Sequence, residues 1–226
     1  MIPKLKVFGL QLFLGRISKV TEINFLEDEL TESIRNLLNS VYNSKGRFYH
    51  NCNHINSMLV GLDKFKEELG IKCYHGFARI AILFHDVVMF TGDDENKSAE
   101  IAEYLLLPFY KKTDVYTVCE LIKRTNYKEV THEVGLIAGL IRDLDLEGLG
   151  SSWEEYWHNS FLIKQEHPEV TLKEFQEGRK KFLQHMLSFK RIYSTKYFEH
   201  LEDKARENMT RELKMYELPE AIAQTV

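Results

Sequence analysis

Apolar residues recur along this chain with the period of a helix over most of its length, and rarely with the alternation of a half-buried strand. In LEDELTESIRNLLNSVY the side chains Leu30, Ile34, Leu37, Leu38 and Val41 fall on one face of a helix. FYHNCNHINSMLVGLDKFKEELG continues as a second helix that stops near Gly70. The third segment, FARIAILFHDVVMF, is almost wholly apolar until His85 and Asp86 appear side by side. TGDDEN then breaks the pattern as a short acidic loop, and SAEIAEYLLL resumes it up to Pro108. Thr113 is the expected cap of DVYTVCELIKR, and EVGLIAGLIRDLDLEGLG gives a further helix with an acidic far end. From SSWEEYW to LEDKARENMTRELKMYEL the chain is helical and highly charged. The pattern predicts an all-α fold.

Composition narrows this picture. A chain of 226 residues, 44% hydrophobic and 12% aromatic, can bury a sizeable core, and the absence of repeats or linkers predicts one domain. Its formal charge of −4 argues against a dedicated nucleic-acid surface and points to small-molecule partners. Cys52, Cys73 and Cys119 are far apart and form no CxxC, so neither a disulfide framework nor a cysteine zinc site is expected, and a reducing cytoplasm is the default location. The run KLKVFGLQLFLGRISK is too short and too broken, by Gln11, for a signal peptide; it reads as a surface-packed arm or strand pair, or as a basic membrane contact. No apolar run is long enough for a transmembrane segment.

An ionised carboxylate buried without compensation costs several kcal/mol or more, so Asp86 needs water or a strong partner. Arg79 or Arg124 can supply a salt bridge, but only a divalent cation recruits the neighbouring imidazole as well. His50 and His54, four residues apart, would share a face of the second predicted helix and address one point. Adding Asp143 and Asp145 from a later helix gives four or five nitrogen and oxygen donors for one bundle interior. Neighbours on a helix diverge by about 100°, so His85 and Asp86 can share an ion only at the edge between them. Such donors suit Mn, Fe, Co, Zn or Mg.

The ordered set RFYHNCNHI, LFHD and DLDLEGLG resembles the HD superfamily of metal-dependent phosphohydrolases, whose ligands run His, His-Asp, Asp. It is most similar to a small predicted hydrolase group with RxYHxxxHI, FHD, NExxSA and DxDLxxLG in sequence; GRKKFL, RIYST and ARENM extend the resemblance over roughly residues 30 to 210. The NExxSA element departs from the pattern, because ENKSAE places Glu95 before Asn96. YHNCNH also resembles a stretch of the cyclic-nucleotide phosphodiesterases, in which the second His holds metal and the first protonates the leaving oxygen.

The resemblance implies His54, His85, Asp86 and Asp145 as metal ligands, with Asp143 the alternative last ligand, and His50 as general acid. Glu95 is implied beside the metal, as a base or a group that orients its water, and Arg47 and Lys97 as contacts to the substrate phosphate. LIKRTNYKEV lacks the His that the small group often carries there, so one metal per chain is implied. The implied architecture is a helical bundle with a metal-binding core over about 25–155 and C-terminal helices over about 152–218. The implied function is hydrolysis of a nucleotide or other small phosphate ester through a metal-activated water. The alternative is a non-catalytic metal- and nucleotide-binding module that retains the site.

Overall fold

The computed structural model describes residues 22–26, 29–66, 72–127 and 135–217, and every regular element among them is helical. In chain order these are α1 (Glu32–Tyr42), α2 (Cys52–Phe65), α3 (Lys72–Phe84), α4 (Asp94–Leu106), α5 (Lys112–Lys123), α6 (Leu136–Asp145), α7 (Trp153–Gln165), α8 (Leu172–Ser188) and α9 (Glu202–Glu217). Two 3-10 turns, at Glu147–Gly150 and Lys196–Leu201, join the later helices. The all-α expectation holds. The arm expected in KLKVFGLQLFLGRISK lies outside the described residues.

A segment as apolar as the last two turns of α3 belongs in the middle of a fold. Ala78, Ala81, Ile82, Leu83 and Phe84 have no exposed surface, and α2, α5 and α6 pack around them. The approach of α2 to α6 depends on Gly61. It lies seven residues from His54, close to the same face of α2, and a Cβ added there would collide with Leu144 Cδ2, beside Asp145. The missing side chain thus lets the two helices that carry His54 and Asp145 close on each other.

The C-terminal helices are joined to the end of α6 by polar contacts. Asn208 of α9 donates to the carbonyls of Leu149 and Ser151, each at 2.9 Å, and α9 packs on both α8 and the turn at Glu147–Gly150. At Gly150 a Cβ would stand 2.6 Å from Leu201 Cβ and 3.0 Å from Tyr193 Oη, so only glycine permits this approach.

Several boundaries differ from those expected. Asn51 caps α2 by accepting the Asn53 N–H, so the helix starts at Cys52 and leaves Phe48 to His50 in a preceding turn. The third helix ends at Phe84, which places His85 and Asp86 beyond it. Asp94 and Glu95 begin α4 instead of completing the acidic loop, a favourable position for carboxylates at the positive end of a helix dipole. Thr113 lies within α5, whose cap position is Lys111. On α1 the buried stripe is Ile34, Leu38 and Tyr42; Leu37 is 43% exposed, and the Tyr42 hydroxyl reaches across to donate to the Leu83 carbonyl at 3.0 Å.

Candidate metal centre

Three parts of the bundle deliver four donor atoms to one place. His54 projects from the first turn of α2, His85 and Asp86 from the turn that follows α3, and Asp145 from the last position of α6. One ligand atom from each lies within 4.8 Å of all the others. His54 Nε2 is 3.1 Å from Asp145 Oδ1 and 3.7 Å from Asp86 Oδ2; His85 Nε2 is 2.9 Å from Asp86 Oδ2 and 3.7 Å from Asp145 Oδ1. The 100° divergence expected of helical neighbours does not constrain His85 and Asp86, because the chain has already left the helix.

Proximity alone would describe an ion-pair cluster, but the orientations do not. His54 Nε2, His85 Nε2 and Asp86 Oδ2 are buried, and none makes an aligned hydrogen bond. Buried polar atoms are nearly always paired. Here three such atoms gather beside Asp145 Oδ1 without aligned hydrogen bonds of their own, an arrangement that a divalent cation satisfies. The His85 ring is set for that role: its Nδ1–H donates to the Ile82 carbonyl at 2.8 Å, which leaves the Nε2 lone pair free. Two imidazoles and two carboxylates fit a divalent ion such as Mn, Fe, Co or Zn. The cluster can therefore hold a metal. Arg79, a possible salt-bridge partner for Asp86, is committed elsewhere, to Glu29 at 2.7 Å and Asp63 at 3.1 Å.

Charge in the cluster is tightly coupled. Burial works to raise the Asp86 pKa, but the facing imidazoles of His85 and His50 outweigh it and hold the carboxyl at about 2. Asp145 is likewise held well below the carboxylate range despite its burial, by His54 and His85. Burial opposes protonation of His85, yet the charges of Asp86 and Asp145 raise its pKa well above the usual value. The pocket thus favours positive charge at its centre.

The two acids at the end of α6 have different surroundings. Asp143 is fully buried and accepts from the Ser194 N–H at 2.6 Å, the Thr195 N–H at 2.7 Å and the Thr195 hydroxyl at 2.6 Å. It fastens α6 to the RIYST stretch. Residues two apart on a helix point about 200° from each other, so Asp145 is turned to the histidines by the same geometry.

His50 does not share a helical face with His54, since it precedes α2. Its position comes from Glu166, the residue that caps the C-terminus of α7. One oxygen of this carboxylate accepts the N–H groups of Phe48, Tyr49 and His50 at 2.8, 2.8 and 2.9 Å, while the other lies 2.6 Å from His50 Nδ1. With Nδ1–H donated to Glu166, His50 Nε2 is the atom left to exchange a proton. Burial disfavours the imidazolium, but Asp86 and Glu166 together raise its pKa. The His50 and His54 rings stand 5.7 Å apart, near perpendicular.

A cleft of about 670 Å³ opens over these groups, lined by His50, His85, Asp86, Glu95 and Asp145 on one part and by residues of α7 and α8 on another. Aromatic rings furnish much of it. Phe90, held at a φ of 64° while Asp94 accepts its N–H, packs on His167 with centroids 4.0 Å apart and the rings tilted by 50°, and Tyr127 meets Phe182 edge-on. Lys97 is exposed and lies outside this lining. Arg47 donates to the carbonyls of His50 and Val87 at 3.0 and 3.1 Å, bracing the His50 turn against the loop after Asp86. Glu166 escaped sequence reasoning because it lies 116 residues from His50 and no local spacing marks it.

Comparisons with family models, curated proteins and solved structures find no match to this chain.

Proposed function

We propose that this chain is a metal-dependent phosphohydrolase of the HD type, acting on a nucleotide or similar phosphate ester. The observation that carries the reading is the convergence of three buried, unpaired ligand atoms beside a histidine whose proton is controlled by a carboxylate. His54, His85, Asp86 and Asp145 would hold the ion. Bound there, a divalent cation supplies a water of lowered pKa and polarises a phosphoryl oxygen.

The protein's own groups account for the rest. Glu166 keeps His50 protonated and aims Nε2 away from itself, so that the imidazolium can give its proton to a departing alkoxide. Glu95, at the edge of the cleft, is placed to accept a proton from water entering it. The Phe90–His167 and Tyr127–Phe182 pairs offer apolar ring surface to a base or sugar.

The leaving group provides the test. A nucleoside 5′-alkoxide departs poorly without a proton, whereas p-nitrophenolate leaves unprotonated, so His50→Ala should lose about 10²–10⁴ in rate on nucleotides and much less on a p-nitrophenyl phosphate ester. Elemental analysis should find its metal content unchanged, near one ion per chain. Equal losses on both substrates, with fold and metal intact, would remove His50 from the acid role. Metal without turnover across nucleoside phosphates, cyclic nucleotides and p-nitrophenyl esters would favour a binding module instead.

A further inference from the structure

The phosphohydrolase reading leaves one buried cation of the cleft unused. Arg179 of α8 has a side chain only 9% exposed, and it lines the cleft that also contains the His/Asp cluster. One edge of its guanidinium is fully engaged: Nε–H and Nη2–H donate to the two oxygens of Glu212, each at 3.1 Å, and Nη2 also approaches the Tyr156 hydroxyl at 3.4 Å. Glu212 is itself locked in place. Its side chain has no exposure, and besides Arg179 it accepts from the hydroxyls of Tyr156, Ser160 at 3.1 Å and Tyr216 at 2.7 Å.

A guanidinium is planar and rigid, so fixing the Nε/Nη2 edge also fixes the direction of Nη1. That group donates to no side chain or carbonyl among the described residues, although it belongs to a side chain nine-tenths buried. Five hydrogen bonds from four side chains spread the charge of Glu212, and a cationic donor edge remains for the cleft. An oriented, partly desolvated guanidinium binds phosphate oxygens or carboxylates well and has little affinity for a neutral sugar. The burial of the pair by itself would add little to stability, since buried ion pairs are often matched by apolar residues.

We propose that Arg179 recognises a second anionic group on the substrate, distinct from the one presented to the His/Asp cluster, so that the cleft selects nucleotides with more than one phosphate. The inference rests on the phosphohydrolase reading for the first phosphate, but Arg179 can be tested without turnover. Calorimetric titration of the protein as purified, with its metal, compares AMP with the non-hydrolysable α,β-methylene analogue of ADP. The wild type should bind the diphosphate at least tenfold more tightly. Arg179→Lys keeps a cation beside Glu212 but loses the second edge, and should erase that preference while AMP affinity and metal content stay unchanged. If Arg179→Lys does not fold, Arg179→Met combined with Glu212→Gln removes both charges, retains an acceptor for the three hydroxyls, and should show the same loss of preference. A diphosphate preference that survives in either folded variant, or its absence from the wild type, overturns the assignment. The two readings fail separately. A preference that depends on Arg179 in a protein that hydrolyses no phosphate ester keeps the anion site and removes the hydrolase, whereas turnover with no diphosphate preference does the reverse.

Discussion

Two buried groups of charged side chains face the same cleft, and they differ in how far their polar atoms are satisfied. Around Glu212 the carboxylate oxygens are saturated, by Arg179 and three hydroxyls. Around Asp86 the atoms that should pair do not: two imidazole nitrogens and a carboxylate oxygen converge without an aligned hydrogen bond. Both groups contain charged side chains less than a tenth exposed, so burial by itself is not what marks chemistry. Leftover bonding capacity is. The first group spends its hydrogen bonds on orienting Arg179 and anchoring α9 to α7 and α8, while the second keeps bonding capacity that an added cation can meet. Asp143 and Asp145 repeat the contrast within one helix, one accepting three hydrogen bonds and the other turned into the cluster.

The largest effect should come from removing Glu212. Truncation to Ala leaves a buried guanidinium and three hydroxyls without their acceptor, and losing one partner of a buried pair typically costs about 3–5 kcal/mol. Asp86→Ala in a chelator should cost less, because Asp86 is partly exposed and Asp145 remains to face the histidines. Urea unfolding of both variants in EDTA measures the difference, and equal losses would erase the distinction between the two groups.

A finer division is expected on α6. Asp143→Asn should lower stability by about 1–3 kcal/mol, since it spoils three buried hydrogen bonds, and should leave metal content intact. Asp145→Asn should lose the metal, and also some stability in chelator, because His54 and His85 lose the carboxylate that faces them. Elemental analysis separates these outcomes and chelator-treated melts measure both losses; metal loss in the Asp143 variant alone would reverse the assignment.

The smallest effect concerns Glu166. Because Asp86 and Glu166 raise the His50 pKa, its protonated form contributes stability that is complete below the unfolded value and is lost as pH rises through the folded one. On the phosphohydrolase reading, the same proton would limit activity on the alkaline side. Glu166→Gln should therefore move the alkaline limb of kcat/KM toward lower pH for nucleotide substrates and leave the p-nitrophenyl ester profile almost unmoved. An unmoved limb for nucleotides would separate Glu166 from the proton on His50.

Much of the fold was legible from spacing, because helices with an apolar stripe carry their period locally. The errors fall where a local rule met a competing one. The four-residue distance from His54 alone places His50 on a helix, but Asn51 caps that helix and excludes it. Thr113 looked like a cap and is not, since α5 had already begun at Lys112. The apolar run around His85 and Asp86 reads as continuous helix, yet α3 ends at Phe84, just before the pair.

The sequence by itself determined the class of the fold and the chemistry available to it: helical periodicity, and a set of His and Asp residues too polar for the apolar segments that carry some of them. Only the tertiary structure decided which donors meet. Asp145 and not Asp143 faces the histidines because the last turn of α6 packs on α2 at Gly61 on one side and is fastened to Ser194 and Thr195 on the other. Glu166 reaches His50, and Arg179 is aimed by Glu212, across separations of 116 and 33 residues. Directional bonds of that kind depend on where helices cross, and crossing is set by packing between distant segments, which local pattern does not encode.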